Sequence, residues 1–214
     1  MLGNDVVDLA DADNRASAAN PRFADRVLSD GERRLFGSSA VAPLRLWALW
    51  AAKEAVFKAL AKRDATLPFV QRAFEVSLAA GSALTARRPA AQGAALGAVT
   101  HGAARIAVRW RWTAQWLHCE TVVDNALSRV CALDEDRPAP DAASAAVRRL
   151  AVGLLARLGV PAARIDRAPG RGRGRPPHVV RDERVLAGCE VSLSHDGRFV
   201  AAAVSATPQA RLQR

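Results

Sequence analysis

The residues best suited to chemistry in this 214-residue chain lie in one apolar stretch, residues 46–62, which reads LWALWAAKEAVFKALAK. No Gly or Pro interrupts it and Ala and Leu dominate, so propensity and pattern both predict a single buried helix. Glu54 and Lys58, one turn apart, project together, with Lys53 about 100° round the axis and Trp47, Trp50 and Phe57 flanking them. Carboxylate and ammonium are thus expected among aromatic rings. On the opposite side Ala48, Ala52, Ala55 and Ala59 form a stripe of methyl groups that permits close packing. Such a Glu-Lys pair can be an ordinary solvated one, contributing about 0.2–0.5 kcal/mol. The lysines point further: the chain holds 28 Arg but three Lys, and Lys53, Lys58 and Lys62 all fall here. Helix propensity does not explain this, because Arg serves a helix equally well. Lysine is a compact charge whose pKa moves on partial desolvation, so the pattern points to a site that handles protons or phosphate oxygens.

Other candidates are spread along the chain. Asp5 interrupts an apolar strand expected over residues 3–9; it is either the wet end of that strand, capping a turn, or a functional carboxylate. Ser194 and His195 close a strand expected over 189–194, which His195-Asp196-Gly197-Arg198 joins to another over 199–205. His195 reads as a turn or core residue, and no G-x-S-x-G elbow supports a hydrolase. The run from Gly170 to Pro177, which includes Arg173 and Arg175, is either a flexible basic loop or one whose amides and guanidinium groups contact phosphate. It is not a P-loop, since no Gly-Lys-Ser/Thr follows. Cys119, Cys131 and Cys189 lack zinc or disulfide spacing and read as small buried hydrophobes.

These residues need elements to position them. Residues 11–21 are polar and loop-like, and Ser29 with Glu32 forms a capping box that opens a short helix. Strand-like segments at 73–78, 96–100, 104–112 and 115–123 predict an antiparallel meander. Its Trp110, Trp112 and Trp116, beside Arg109 and Arg111, allow base stacking in a nucleic-acid-binding module. Trp110 and Trp112 share a strand face, however, so a sheet face packed on a helix is the commoner explanation. Residues 134–142 are acidic and proline-containing, a linker between a front half, 1–133, and a back half, 143–214, whose helix spans 144–158. Half the residues are apolar, which excludes disorder, and a net charge of +10 implies an anionic partner: nucleic acid, a phosphorylated small molecule or an acidic protein. No apolar run reaches membrane length and MLGNDVVDL is no signal peptide, so a cytoplasmic location is expected.

Three segments in order, GNDVVDL, WAAKEAVFKAL and VSLSHDG, resemble the 4'-phosphopantetheinyl transferases, which carry a Gly-x-Asp strand, a Trp-x-x-Lys-Glu-Ala-x-x-x-Lys helix and a Ser-His strand end. The resemblance implies an α+β fold, a pseudo-dimer of two similar halves with antiparallel sheets each packed on a long helix. It also implies Mg2+, with coenzyme A as co-substrate and an acidic acyl or peptidyl carrier protein as acceptor. On that footing Asp5 and Glu54 hold the metal, and Glu54, Lys58 and Asp5 are catalytic. Ser194, His195, Arg175 and Arg173, assisted by Lys53, hold coenzyme A. A monomer is expected, with neither nucleic acid nor membrane as partner. The short members of the family have this segment order, whereas the longer surfactin-type members place the Ser-His segment first, so here the two halves are expected in swapped order. Val7 stands where many long members carry a third acidic residue, which leaves open whether Asp8 substitutes, and Arg175 stands where Lys is common.

Overall fold

A computed structural model describes residues 1–36, 42–85, 90–133, 139–167, 176–208 and 210. The chain runs β1 (Asn4–Asp8), α1 (Ala12–Ala19), α2 (Pro21–Val27), α3 (Asp30–Phe36), the long α4 (Pro43–Leu60), β2 (Glu75–Leu78), β3 (Gly93–His101), β4 (Ala104–Trp112), β5 (Trp116–Thr121) and β6 (Ala126–Ala132). It continues with α5 (Pro140–Arg157), β7 (Arg164–Asp166), β8 (His178–Arg181), β9 (Arg184–Val185), β10 (Cys189–Asp196) and β11 (Phe199–Ala206). Helices thus combine with antiparallel strands, an α+β architecture. The described strands form sheets ordered β1-β5-β4-β3-β2, β10-β11-β6 and β7-β8-β9.

The front core forms where α4 lies across β1 and β5. Ala48, Ala52, Ala55 and Ala59 are all buried, and the methyl stripe lets β1 come down onto helix backbone. Gly3 completes that approach, because a Cβ there would stand 1.9 Å from the Ala55 carbonyl oxygen. Trp110 and Trp112 turn inward, donating their indole N–H groups to Ala48 O at 2.8 Å and Ala90 O at 3.0 Å. A buried indole must find such an acceptor. These two rings are therefore core, with no exposed face for stacking a base. The capping box closes as expected: the Ser29 N–H donates to Glu32 Oε2 at 2.8 Å and the Glu32 N–H to Ser29 Oγ at 3.2 Å.

Residues 11–21 and the stretch 134–142 differ from expectation, and the strands β6 to β9 are additional to those expected. Residues 11–21, read as a loop, fold into α1 and the start of α2. The Asp11 side chain accepts the N–H groups of Asp13 and Asn14, and Asn20 caps a helix opened by Pro21. No residue of α1 is buried, so the apolar periodicity that announces a helix is missing although the caps are present. Of the stretch read as a linker, 134–138 lies outside the described residues and 140–142 forms the first turn of α5. A partition there also separates β6 from its sheet, since β6 pairs antiparallel with β11 from Ala126↔Ser205 to Ala132↔Phe199.

Behind β10 and β11, α5 packs a second core through Val147, Ala151 and Leu155 against Val191, Val200 and Val204. On their other face Val6 meets Phe199 and Ala201 in a small apolar cluster joining the two parts. Among the described residues edge strand β1 has one strand neighbour in its sheet, β5, so alternate N–H groups need acceptors elsewhere. The N–H groups of Asn4, Val6 and Asp8 donate to Ser192 Oγ (2.9 Å), Ser194 Oγ (3.3 Å) and Asp196 Oδ2 (2.7 Å), alternate residues of β10. Among the described residues no helix is long and apolar enough to cross a membrane.

Candidate active site

Where β1, α4, α5 and β10 converge, a cleft of about 350 Å³ opens. It is lined by Asp5 from β1, Glu54 and Lys58 from α4, Ser144, Val147 and Arg148 from α5, Arg167, and Leu193, Ser194 and His195 from β10. Glu54 and Lys58 point the same way because they are one helical turn apart. They sit at the margin of the alanine contact rather than behind it, since Lys58 reaches the same strand that Gly3 presses onto Ala55.

At the centre, Lys58 Nζ donates to Asp5 Oδ1 at 2.8 Å, to Asn4 O at 3.1 Å and to Ser194 Oγ at 3.3 Å. The Ser194 hydroxyl donates to Asp5 Oδ1 at 2.7 Å. Among the described residues both hydrogen bonds of the Asp5 side chain fall on Oδ1, leaving Oδ2 for a cation. Two carboxylates on one cleft fit Mg2+, a hard ion held by one or two protein carboxylates with substrate phosphates and water completing its shell. A cage made wholly of protein is not offered, as no cluster of three or more His, Cys, Asp or Glu suited to a metal exists among the described residues.

The remaining groups favour anions. Arg148 Nη1 donates to Ser144 Oγ at 2.8 Å, and among the described residues neither Arg148 nor Arg167 forms an ion pair. Burial, and then the nearby Arg148 charge, lower the pKa of Arg167, so an entering anion would relieve two crowded guanidinium groups. Burial also lowers the pKa of His195, helped by Lys58 and Arg167 and opposed by Asp5. These surroundings favour the neutral imidazole, and either ring form can hydrogen-bond a phosphate.

Five residues singled out from the sequence, Asp5, Glu54, Lys58, Ser194 and His195, thus come to one cleft. Lys53 does not. One position along the helix swings its side chain by about 100°, and its ammonium is buried against Val27 O at 2.6 Å and Glu32 Oε2 at 2.7 Å. Arg173 and Arg175 lie outside the described residues. Asp8 faces away: Arg198 holds its carboxylate through Nε and Nη2, both at 2.9 Å, and burial, which would raise its pKa, is outweighed by these bonds. Among the described residues no Trp or Phe lines the cleft, because Trp47, Trp50 and Phe57 pack with Phe23, Phe69 and Phe74 in a cluster of their own.

Sequence reasoning did not single out Ser144, Arg148 or Arg167. The arginine content of the α5 segment was the available signal for Arg148. Its pattern could not choose between Arg148 on the cleft and exposed Arg149 beside it. Arg167 follows β7, a strand of three residues too short for periodicity to reveal.

A family model described as the 4'-phosphopantetheinyl transferase superfamily matches residues 1–115, more than half of the chain. The protein belongs to that superfamily. It is a transferase of the phosphopantetheinyl kind, from a family that uses coenzyme A as co-substrate and acts on carrier proteins. The match takes in β1 and α4, hence Asp5, Glu54 and Lys58, and stops before β5. Searches of curated proteins and of solved structures gave no match.

Proposed function

We propose that the chain transfers the 4'-phosphopantetheine group of coenzyme A to a serine of an apo acyl or peptidyl carrier protein, in a Mg2+-dependent reaction that releases adenosine 3',5'-bisphosphate. The observation that carries this is the cleft itself, which Asp5 and Glu54, from a strand and a helix distant in sequence, line together with Arg148 and Arg167.

Asp5 and Glu54 would hold Mg2+, which when bound neutralises charge on the diphosphate. Arg148, Arg167 and His195 bind the phosphates of coenzyme A, and Lys58 adds positive charge where the leaving 5'-phosphate separates. Glu54, directly or through a water, accepts the proton of the carrier serine as its oxygen attacks the phosphorus nearest the pantetheine. We assign Arg173 and Arg175 to the same phosphates, because their basic run follows Arg167 in sequence. A net charge of +10 suits an acidic carrier protein. We also read the chain as a monomeric, cytoplasmic pseudo-dimer in which α4 with the five-stranded sheet and α5 with β10-β11-β6 are fused counterparts. A crystal structure in which the two arrangements do not superpose would remove that reading.

The test is to incubate the protein with coenzyme A, Mg2+ and apo carriers of the fatty-acid, polyketide and peptide classes and to weigh each carrier. The expected result is the mass of one phosphopantetheine on at least one carrier, lost in Glu54→Gln at unchanged melting temperature. No gain on any class overturns the proposal.

A further inference from the structure

A serine hydroxyl offers one donor and two acceptor positions. In Ser194 all three are filled: it donates to Asp5 Oδ1 at 2.7 Å and accepts from the Val6 N–H and from Lys58 Nζ, both at 3.3 Å. The residue is nearly inaccessible, at 6% exposure. Nothing remains with which to bind a phosphate of coenzyme A, the role its place beside His195 implied. What the hydroxyl does is tie the metal carboxylate, the catalytic ammonium and the backbone of β1 to β10.

We infer that Ser194 is a positioning residue: it fixes the carboxylate of Asp5 and the ammonium of Lys58, so that the cation site of the front sheet is set by a strand of the back sheet. The inference rests on the transferase reading above. It acts through register. Ser192, Ser194 and Asp196 fall on one face of β10, and each accepts one of the N–H groups that β5 leaves unused on β1. A slip of β1 along that ladder would carry Asp5 away from Glu54. Only the middle rung touches reacting groups.

Ser192 supplies the control. It is buried and accepts the Asn4 N–H at 2.9 Å, as Ser194 accepts that of Val6, but among the described residues it hydrogen-bonds to neither Asp5 nor Lys58. In the full-length protein, Ser192→Ala and Ser194→Ala should both lower the melting temperature. Only Ser194→Ala should weaken Mn2+ binding, measured by calorimetry without coenzyme A, by about 10–100-fold, the usual cost of losing an outer-shell partner. Its kcat should fall with it, while the affinity for coenzyme A measured without metal stays unchanged, and Ser194→Thr should restore Mn2+ binding. If Ser194→Ala does not fold, Ser194→Cys, similar in size and a weak hydrogen-bonder, is read by the same criteria. Loss of coenzyme A affinity with Mn2+ binding intact would make Ser194 a substrate ligand and overturn the inference, as would identical behaviour of the two alanine variants. A wild-type protein that transfers phosphopantetheine while Ser194→Ala matches it sinks this inference alone. A wild type that neither transfers nor binds Mn2+ sinks the transferase reading, and this inference with it.

Discussion

Replacing Glu32 by Ala is expected to be far more damaging than a substitution remote from the cleft would ordinarily be. Glu32 and Lys53 form an ion pair at 2.7 Å with side-chain exposures of 1% and 0%. Burial drives the pKa of Lys53 down, and Glu32 partly restores it. The same carboxylate accepts the Ser29 N–H and the Val76 N–H, both at 2.8 Å, so one side chain fastens α3, α4 and β2 together. Removing it strands a buried ammonium, at a cost of about 3–5 kcal/mol. Orphaning the Val76 N–H adds about 1–3 kcal/mol. Against a typical domain stability of about 5–15 kcal/mol, most of the fold's margin would go. The neutral pair Lys53→Met with Glu32→Gln removes both charges and keeps a carbonyl acceptor for one of the two backbone N–H groups. It should cost less than the sum of the separate substitutions by at least about 2 kcal/mol. Denaturant unfolding at pH 7 measures all four corners of this cycle. A loss under about 1 kcal/mol in Glu32→Ala, or a coupling near zero, would refute the reasoning. The double variant should also transfer phosphopantetheine at the wild-type rate per folded molecule. A large fall in that rate at unchanged stability would return Lys53 to coenzyme A.

Three further outcomes follow from the geometry. Gly3→Ala would set a methyl group against the Ala55 carbonyl, so it should destabilise the protein by about 1–3 kcal/mol or more and weaken Mn2+ binding by moving β1; unchanged melting and binding would contradict the close contact. His118 is wholly buried and its pKa is pushed down to about 4, first by burial and then by Arg111 and Lys58 against the pull of Glu120. The unfolded chain takes up that proton near pH 6.5 and the folded one does not, so from pH 6.5 down to about 4 this residue should remove about 3 kcal/mol of stability. His118→Gln should flatten that limb in unfolding curves taken across the range, and an identical slope would reject the assignment. Arg148→Ala should raise KM for coenzyme A by about 10–100-fold with little change in kcat, because a charge-assisted phosphate bond is made equally in ground and transition states. A fall in kcat at constant KM would instead put Arg148 at the reacting phosphorus.

Much of the architecture was readable where residues have one dominant partner. The α4 stretch announced itself through uninterrupted helix formers, the meander through alternation, and the Ser29-Glu32 cap through spacing alone. Elements that bury little left weaker traces. The α1 helix has no buried face, and β7 and β9 are too short to show a period. The membership of β6 was hidden for another reason: its pairing with β11 spans a long sequence separation, and a proline-containing stretch after it looks like a boundary whichever sheet claims the strand.

The amino-acid order determined which chemical groups share an element and which way they point along it. Glu54 and Lys58 project together because a helix turns every 3.6 residues, and Ser192, Ser194 and Asp196 align because a strand repeats every two. Only the folded chain decided which of those faces meet. The contrast between Lys53 and Lys58 shows it: both are lysines of one helix, yet one is sealed against Glu32 and the other is drawn to Asp5 by a strand that can approach only because Gly3 has no side chain. Local spacing acts through short-range sterics, whereas partnership depends on packing between segments remote in sequence, and the cleft exists where those long-range contacts leave room.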